Sequence, residues 1–196
     1  DNFISDVTAL KGNLFCNTLA LDNNKITDLG FLGVESNVNI DNLSLSNNPL
    51  EKYPDFRNEM NINNLWLDGT GMDDWPQFEG FTYISLLDLS NNNLNTLPKP
   101  PTLMRIETLI LRGNNMTDIS NIPKIESNEI MGLGGIAYTD ITGYCKNLDL
   151  SNNAIEDISP LLELNLTKNL IIKNNRVPLD MDIIKQLTWM DEIIID

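Results

Sequence analysis

Residues 84–97 read Ile84-Ser85-Leu86-Leu87-Asp88-Leu89-Ser90-Asn91-Asn92-Asn93-Leu94-Asn95-Thr96-Leu97. Leu87 and Leu89 alternate with Asp88 and Ser90, the two-residue period of a short strand with one apolar face. Asn92 follows three residues after Leu89, and Leu94 and Leu97 return to apolar character. Outward from this stretch the same pair recurs with its asparagine at Leu19/Leu21/Asn24, Leu43/Leu45/Asn48, Leu109/Leu111/Asn114, Leu148/Leu150/Asn153 and Leu170/Ile172/Asn175. Weaker copies stand at Leu65/Leu67, Met131/Leu133 and Ile193/Ile195. The pairs begin at 19, 43, 65, 87, 109, 131, 148, 170 and 193, so the usual step is 22 residues.

Self-similarity at that period, in the form L-x-x-L-x-L-x-x-N, is the signature of leucine-rich repeats. It implies an α/β solenoid: a right-handed horseshoe arc with a parallel concave sheet of about 8–9 short strands, and a convex side of loops, extended segments and short helices. Each coil touches only its neighbours, so residues 1–196 read as a single domain. The segment 1–15 is expected to be an N-terminal cap or partial repeat, and 178–196 a helix plus a terminal strand. Phe3, Ile4, Val7 and Leu10 fall at helical spacing, which suggests a capping helix. Alternatively, Ile4-Ser5-Asp6 is the tail of a truncated coil, since it resembles Ile158-Ser159-Pro160. The opening at Asp1 suggests a processed product or an excised segment. An apolar strand at the other end suggests that more protein, or another copy, belongs there.

The phase of the repeat assigns roles to individual residues. An inward asparagine can satisfy backbone groups that would otherwise be buried without partners, and stacked coils make a ladder of them. Ile26, Leu50, Met72, Leu94, Met116, Tyr138 and Ile155 close the coil, followed by Leu29, Tyr53, Trp75, Leu97, Ile119, Ile141 and Ile158. Trp75 is therefore core. Tyr53-Pro54, Trp75-Pro76 and Leu97-Pro98 mark helix-poor arcs, and Asp28, Asp118, Asp140 and Asp157 mark turns or short helical starts. The match of Thr139-Asp140-Ile141 to these turns places Met131 in a genuine coil, shortened to 17 residues between Ile141 and Cys145. Cys16 and Cys145 fall at inward positions six strand steps apart, about 29 Å. That is far beyond disulfide reach, so both are expected as buried free thiols.

The chain carries a net charge of −15 and no histidine. The charge argues against nucleic-acid binding. It permits a basic protein partner and otherwise serves solubility. Without histidine, catalysis would rest on carboxylates such as Asp68 and Asp88 on adjacent strands. No catalytic residue, cofactor or metal site is expected. No apolar run is long enough for a membrane span. Gly132-Leu133-Gly134-Gly135-Ile136-Ala137 fits a dinucleotide fingerprint in letters but lacks the strand–helix context. Its glycines are expected to leave a bare outward patch. Sequons at Asn42, Asn115 and Asn165 are about as many as chance supplies and do not show secretion.

The stretch Asn153-Ala154-Ile155-Glu156-Asp157-Ile158-Ser159-Pro160-Leu161 resembles the repeat of bacterial internalin-type proteins. Leu97-Pro98-Lys99-Pro100-Pro101 is more similar to the proline-containing arcs of secreted leucine-rich-repeat effectors from pathogenic bacteria. The resemblance covers about residues 13–196 at the level of fold. It implies a secreted or surface protein that binds another cell's protein through its concave sheet, with cytoplasmic residence as the alternative. No catalytic domain like the ubiquitin ligases of some such effectors is present.

Between the leucines lie the outward positions. Trp66, Leu86, Ile110 and Ile130 are expected to form an apolar stripe across four consecutive coils, flanked by Asp68, Asp88 and Arg112. Contiguous exposed apolar area with Trp and Arg is the composition of an interaction site. These seven residues are the candidate partner-binding site. The competing reading is a structural spacer that stacks end to end through its terminal strand.

Overall fold

The computed structural model describes residues 2–12, 14–32, 38–56, 60–76, 78, 82–96, 104–121, 126–131, 137–142, 144–176 and 178–195. The strands are β1 (Leu14–Ala20), β2 (Val38–Ser44), β3 (Met60–Asn61), β4 (Asn64–Trp66), β5 (Thr82–Asp88) and β6 (Met104–Ile110), then β7 (Glu126–Met131), β8 (Ala137–Thr142), β9 (Tyr144–Asp149), β10 (Asn169–Ile171) and β11 (Glu192–Ile194). One parallel sheet runs β1-β2-β4-β5-β6-β9-β10-β11, with β3 paired to β2 beside that path. Leu19, Leu43, Leu65, Leu87, Leu109, Leu148, Leu170 and Ile193 stand in one continuous register across it. The chain is a leucine-rich-repeat solenoid, and among the described residues helix is confined to a single turn, α1 (Met181–Ile184), and two 3-10 segments, Thr8–Leu10 and Ser159–Glu163.

Each coil turns at one point, for one local reason. Two residues after the second apolar residue the backbone enters the left-handed region, at Asn23, Asn47, Asn91, Asn152 and Asn174 and at Gly69 and Gly113. Asparagine tolerates this conformation better than other side chains, and glycine has no penalty there. The next residue turns inward. Asn92 donates to Leu67 O and Leu89 O at 2.9 and 3.0 Å, and its Oδ1 accepts from Thr70 N and Met72 N. Asn48, Asn114, Asn153 and Asn175 repeat the pattern. Thr70 takes the ladder position of the coil that lacks an asparagine, and its hydroxyl reaches Leu67 O and Asn92 Oδ1. Leu43, Leu45, Leu65, Leu67, Leu87, Leu89, Leu109 and Leu111 are completely buried, with Ile26, Leu29 and Leu94 behind them. Trp75 is buried, as its phase requires. Leu97-Pro98 lies outside the described residues.

The Met131 coil is a correction. Residues 126–131 pair antiparallel with 137–142 in a separate two-stranded sheet, and β6 pairs directly with β9. Thr108 and Asn147 are neighbours 39 residues apart, where other coils use 22 to 24. This part of the chain is thus one long coil carrying a hairpin, and no shortened coil follows it. Antiparallel strands close over a short connection, whereas a parallel strand needs a full crossover with an apolar stretch to bury. Tyr138 and Ile141, expected to close a coil, lie on β8 of that hairpin. The glycine patch at 132–136 lies outside the described residues.

Both cysteines are free, but only Cys145 is buried. Its thiol is pushed up to about 12 by burial, which makes it inert near neutrality. Cys16 is half-exposed because β1 is the edge strand. With the extra coil removed the two lie five strand steps apart, still about 24 Å.

The N-terminal residues do not form the capping helix. Ile4 N donates to Asn24 Oδ1 at 3.1 Å, and Ile26 N does the same to Asn48 Oδ1 one coil later. Thr8 N meets Asp6 Oδ1 just as Gly30 N meets Asp28 Oδ1. Residues 2–8 thus follow the course of a return arc. At the other end α1 is capped by Asp180, which accepts from Asp182 N and Ile183 N, and Leu187 is buried before β11 begins.

Candidate functional site

Because side chains alternate along each strand, the inward leucines leave one outward residue per strand at each level of the sheet. The parallel register lines these up into rows. The middle row reads Ala20, Ser44, Trp66, Asp88, Ile110, Asp149, Ile171 and Ile194. The row before it reads Thr18, Asn42, Asn64, Leu86, Thr108, Asn147, Asn169 and Glu192.

The earlier row is mostly a second polar ladder. Asn64 Nδ2 donates to Asn42 Oδ1 at 2.8 Å, Asn147 Nδ2 to Thr108 Oγ1 at 2.9 Å, and Asn169 Nδ2 to Asn147 Oδ1 at 2.6 Å. Leu86 interrupts it, between Asn64 and Thr108. At that same point the middle row carries Trp66 and Ile110 on either side of Asp88. Three half-exposed apolar side chains therefore surround one half-buried carboxylate.

Asp88 Oδ1 accepts from Ser90 N at 2.9 Å. Burial raises the carboxyl's pKa. The Ser90 hydrogen bonds oppose the rise, the charge of Asp68 adds to it, and Arg112 pulls it back. Asp149 has the same local design, with Oδ1 taking both Ser151 N at 2.9 Å and Ser151 Oγ at 2.6 Å. Asp68 accepts from Ser46 Oγ on the neighbouring coil. Arg112 is exposed beside this cluster.

Of the seven candidate residues, the structure brings together Trp66, Asp68, Leu86, Asp88, Ile110 and Arg112. Ile130 is not among them. It belongs to β7, and the strand next to β6 is β9, which puts Asn147 beside Thr108 where Ile130 was expected and Asp149 beside Ile110. Ile171 then continues the apolar positions one strand further. Asp149 and Ile171 were visible as outward residues of their own repeats. Counting Met131 as a coil separated them from Ile110.

No group of three or more Cys, Asp or Glu residues among those described is placed to hold a metal ion. No helix of the described residues is long and apolar enough to cross a membrane.

No protein-family model matches the chain, and no curated protein matches it. Among solved structures, the crystal structure of internalin C2 from Listeria monocytogenes matches with a TM-score of 0.50 and 22% identity. The match covers 92% of this chain and 71% of that one. The fold is an internalin-like leucine-rich-repeat solenoid. This likeness is one of fold.

Proposed function

We propose that this internalin-like chain is a non-enzymatic recognition module that binds a protein partner on the concave face of its sheet. Trp66, Leu86, Asp88 and Ile110 form the centre, and Asp68 and Arg112 the charged rim. The observation that carries the reading is the Trp66–Leu86–Ile110 triangle around Asp88. Solenoid stability does not require apolar groups there, since Ser44 and Asn64 occupy the same rows one coil away without loss of register. Desolvation of the triangle supplies affinity and the rim supplies orientation. A secreted or surface setting fits this use.

Trp66→Ala is expected to weaken partner binding by at least about 2 kcal/mol, some thirtyfold, with an unchanged circular dichroism spectrum. Capture with the intact chain, compared against a Trp66/Ile110 double alanine variant, is the direct measurement. Undiminished capture by the double variant would remove the site from this face.

A second reading, a scaffold stacked end to end, is favoured by exposed apolar side chains on β1 and β11. Phe15 on β1 is 65% exposed, and Ile194 on β11 is also exposed. Sedimentation across a range of concentrations separates the two, because stacking requires the apparent mass to rise.

A further inference from the structure

We propose that the middle row takes an extended basic peptide segment laid across the strands, with two lysine or arginine side chains three residues apart seated on Asp88 and Asp149. This deepens the protein-binding reading and rests on it.

From strand to strand the row alternates apolar and acidic: Trp66, Asp88, Ile110, Asp149, Ile171. Asp88 and Asp149 stand two strands apart, with β6 between them. At roughly 4.8 Å per strand that separation is about 9.6 Å. A chain in the polyproline II conformation rises about 3.1 Å per residue with three residues per turn, so every third side chain faces the same way at about 9.3 Å. A β-strand repeats its face at about 6.8 Å and falls out of phase. An α-helix meets the separation only at seven-residue spacing, at about 10.5 Å.

Each carboxylate is half committed. One oxygen of Asp88 is held by Ser90, and one of Asp149 by Ser151. Beyond Ser90 and Ser151, no described residue donates a hydrogen bond to either carboxylate. A cationic side chain ending there forms a charge-assisted hydrogen bond in a partly desolvated setting. Its methylene stem lies along Ile110 or Ile171, as long basic side chains do on apolar surface. Trp66 next to Asp88 offers an aromatic face to the same cation. The net charge of −15 attracts a basic segment to the chain as a whole, and the row supplies the spacing that selects among such segments.

Calorimetric titration of the whole chain tests this with blocked peptides of equal length and lysine count. The first carries lysines at every third position among prolines, the second has them adjacent, and a third is a helical peptide with lysines seven apart. The every-third peptide is expected to bind at least tenfold tighter than the adjacent one. Asp88→Asn and Asp149→Asn should each cost about tenfold and erase that preference. Glu51→Gln, on an exposed arc, should change nothing. Equal loss in Glu51→Gln would show attraction by net charge alone and overturn the proposal. Tighter binding of the helical peptide, or indifference to spacing, would overturn it too. If Trp66→Ala still weakened binding in those cases, recognition by this face would survive. Peptide binding unaffected by any of Trp66→Ala, Asp88→Asn and Asp149→Asn would overturn both readings.

Discussion

The two faces of the same strands obey different rules. Leu87 and Leu89 repeat in kind from coil to coil and are completely buried. Asp88, between them, has Trp66 on one neighbouring strand and Ile110 on the other. Stacking compels the inward set, since each leucine must fill the space left by the coils above and below it. No such demand acts on the outward set, whose members touch solvent or a partner. Repetition thus marks what holds the solenoid together, and variation marks where it can be used.

The contrast is sharpest if an inward leucine is cut back. Leu89→Ala should cost about 4 kcal/mol in denaturant unfolding, from lost transfer energy plus a cavity between rigid coils. Asn92→Ala leaves Leu67 O, Leu89 O, Thr70 N and Met72 N without their side-chain partner. Urea titration should show a loss of about 3 kcal/mol, because several buried groups go unpaired together. Gly113→Ala tests the turn itself. Its φ is +67°, and a new Cβ would stand 2.6 Å from Asn91 Oδ1. A melting experiment should register about 1–2 kcal/mol of destabilisation.

The outward face should respond in the opposite sense. Asp88 has a raised pKa in the folded chain, so folding favours its protonated form. Its ionisation weakens the fold as pH rises through the folded-state pKa. Asp88→Asn should therefore be slightly more stable than the parent at pH 7, by less than about 1 kcal/mol. The gap should close as pH falls below the ordinary carboxylate range. Paired urea titrations at pH 7 and pH 3 check the sign. A loss of stability at pH 7 would mean that Asp88 belongs with the structural set.

Much of this was legible in the letters. The leucine register outside the 126–142 hairpin, the asparagine ladder and the burial of Trp75 all follow from phase. They are local or nearest-neighbour properties, and a fixed period reports those well. The failures share a cause. Thr139-Asp140-Ile141 matches the arc turns in three common residue types, yet whether those residues form an arc depends on what the strand before them pairs with. An antiparallel partner six residues away needs only local closure, and the comparison of pairing partners cannot be made from phase. Ile130 was assigned to the site by the same counting, and Asp149 and Ile171 were left out of it.

The sequence alone determined that this chain is a leucine-rich-repeat solenoid and, outside the 126–142 hairpin, the phase of its inward side chains, because burial imposes a short, repeated pattern on every coil. Which outward residues stand side by side was decided only in three dimensions. Neighbours on the open face come from different coils, and a single hairpin insertion between β6 and β9 changes who meets whom.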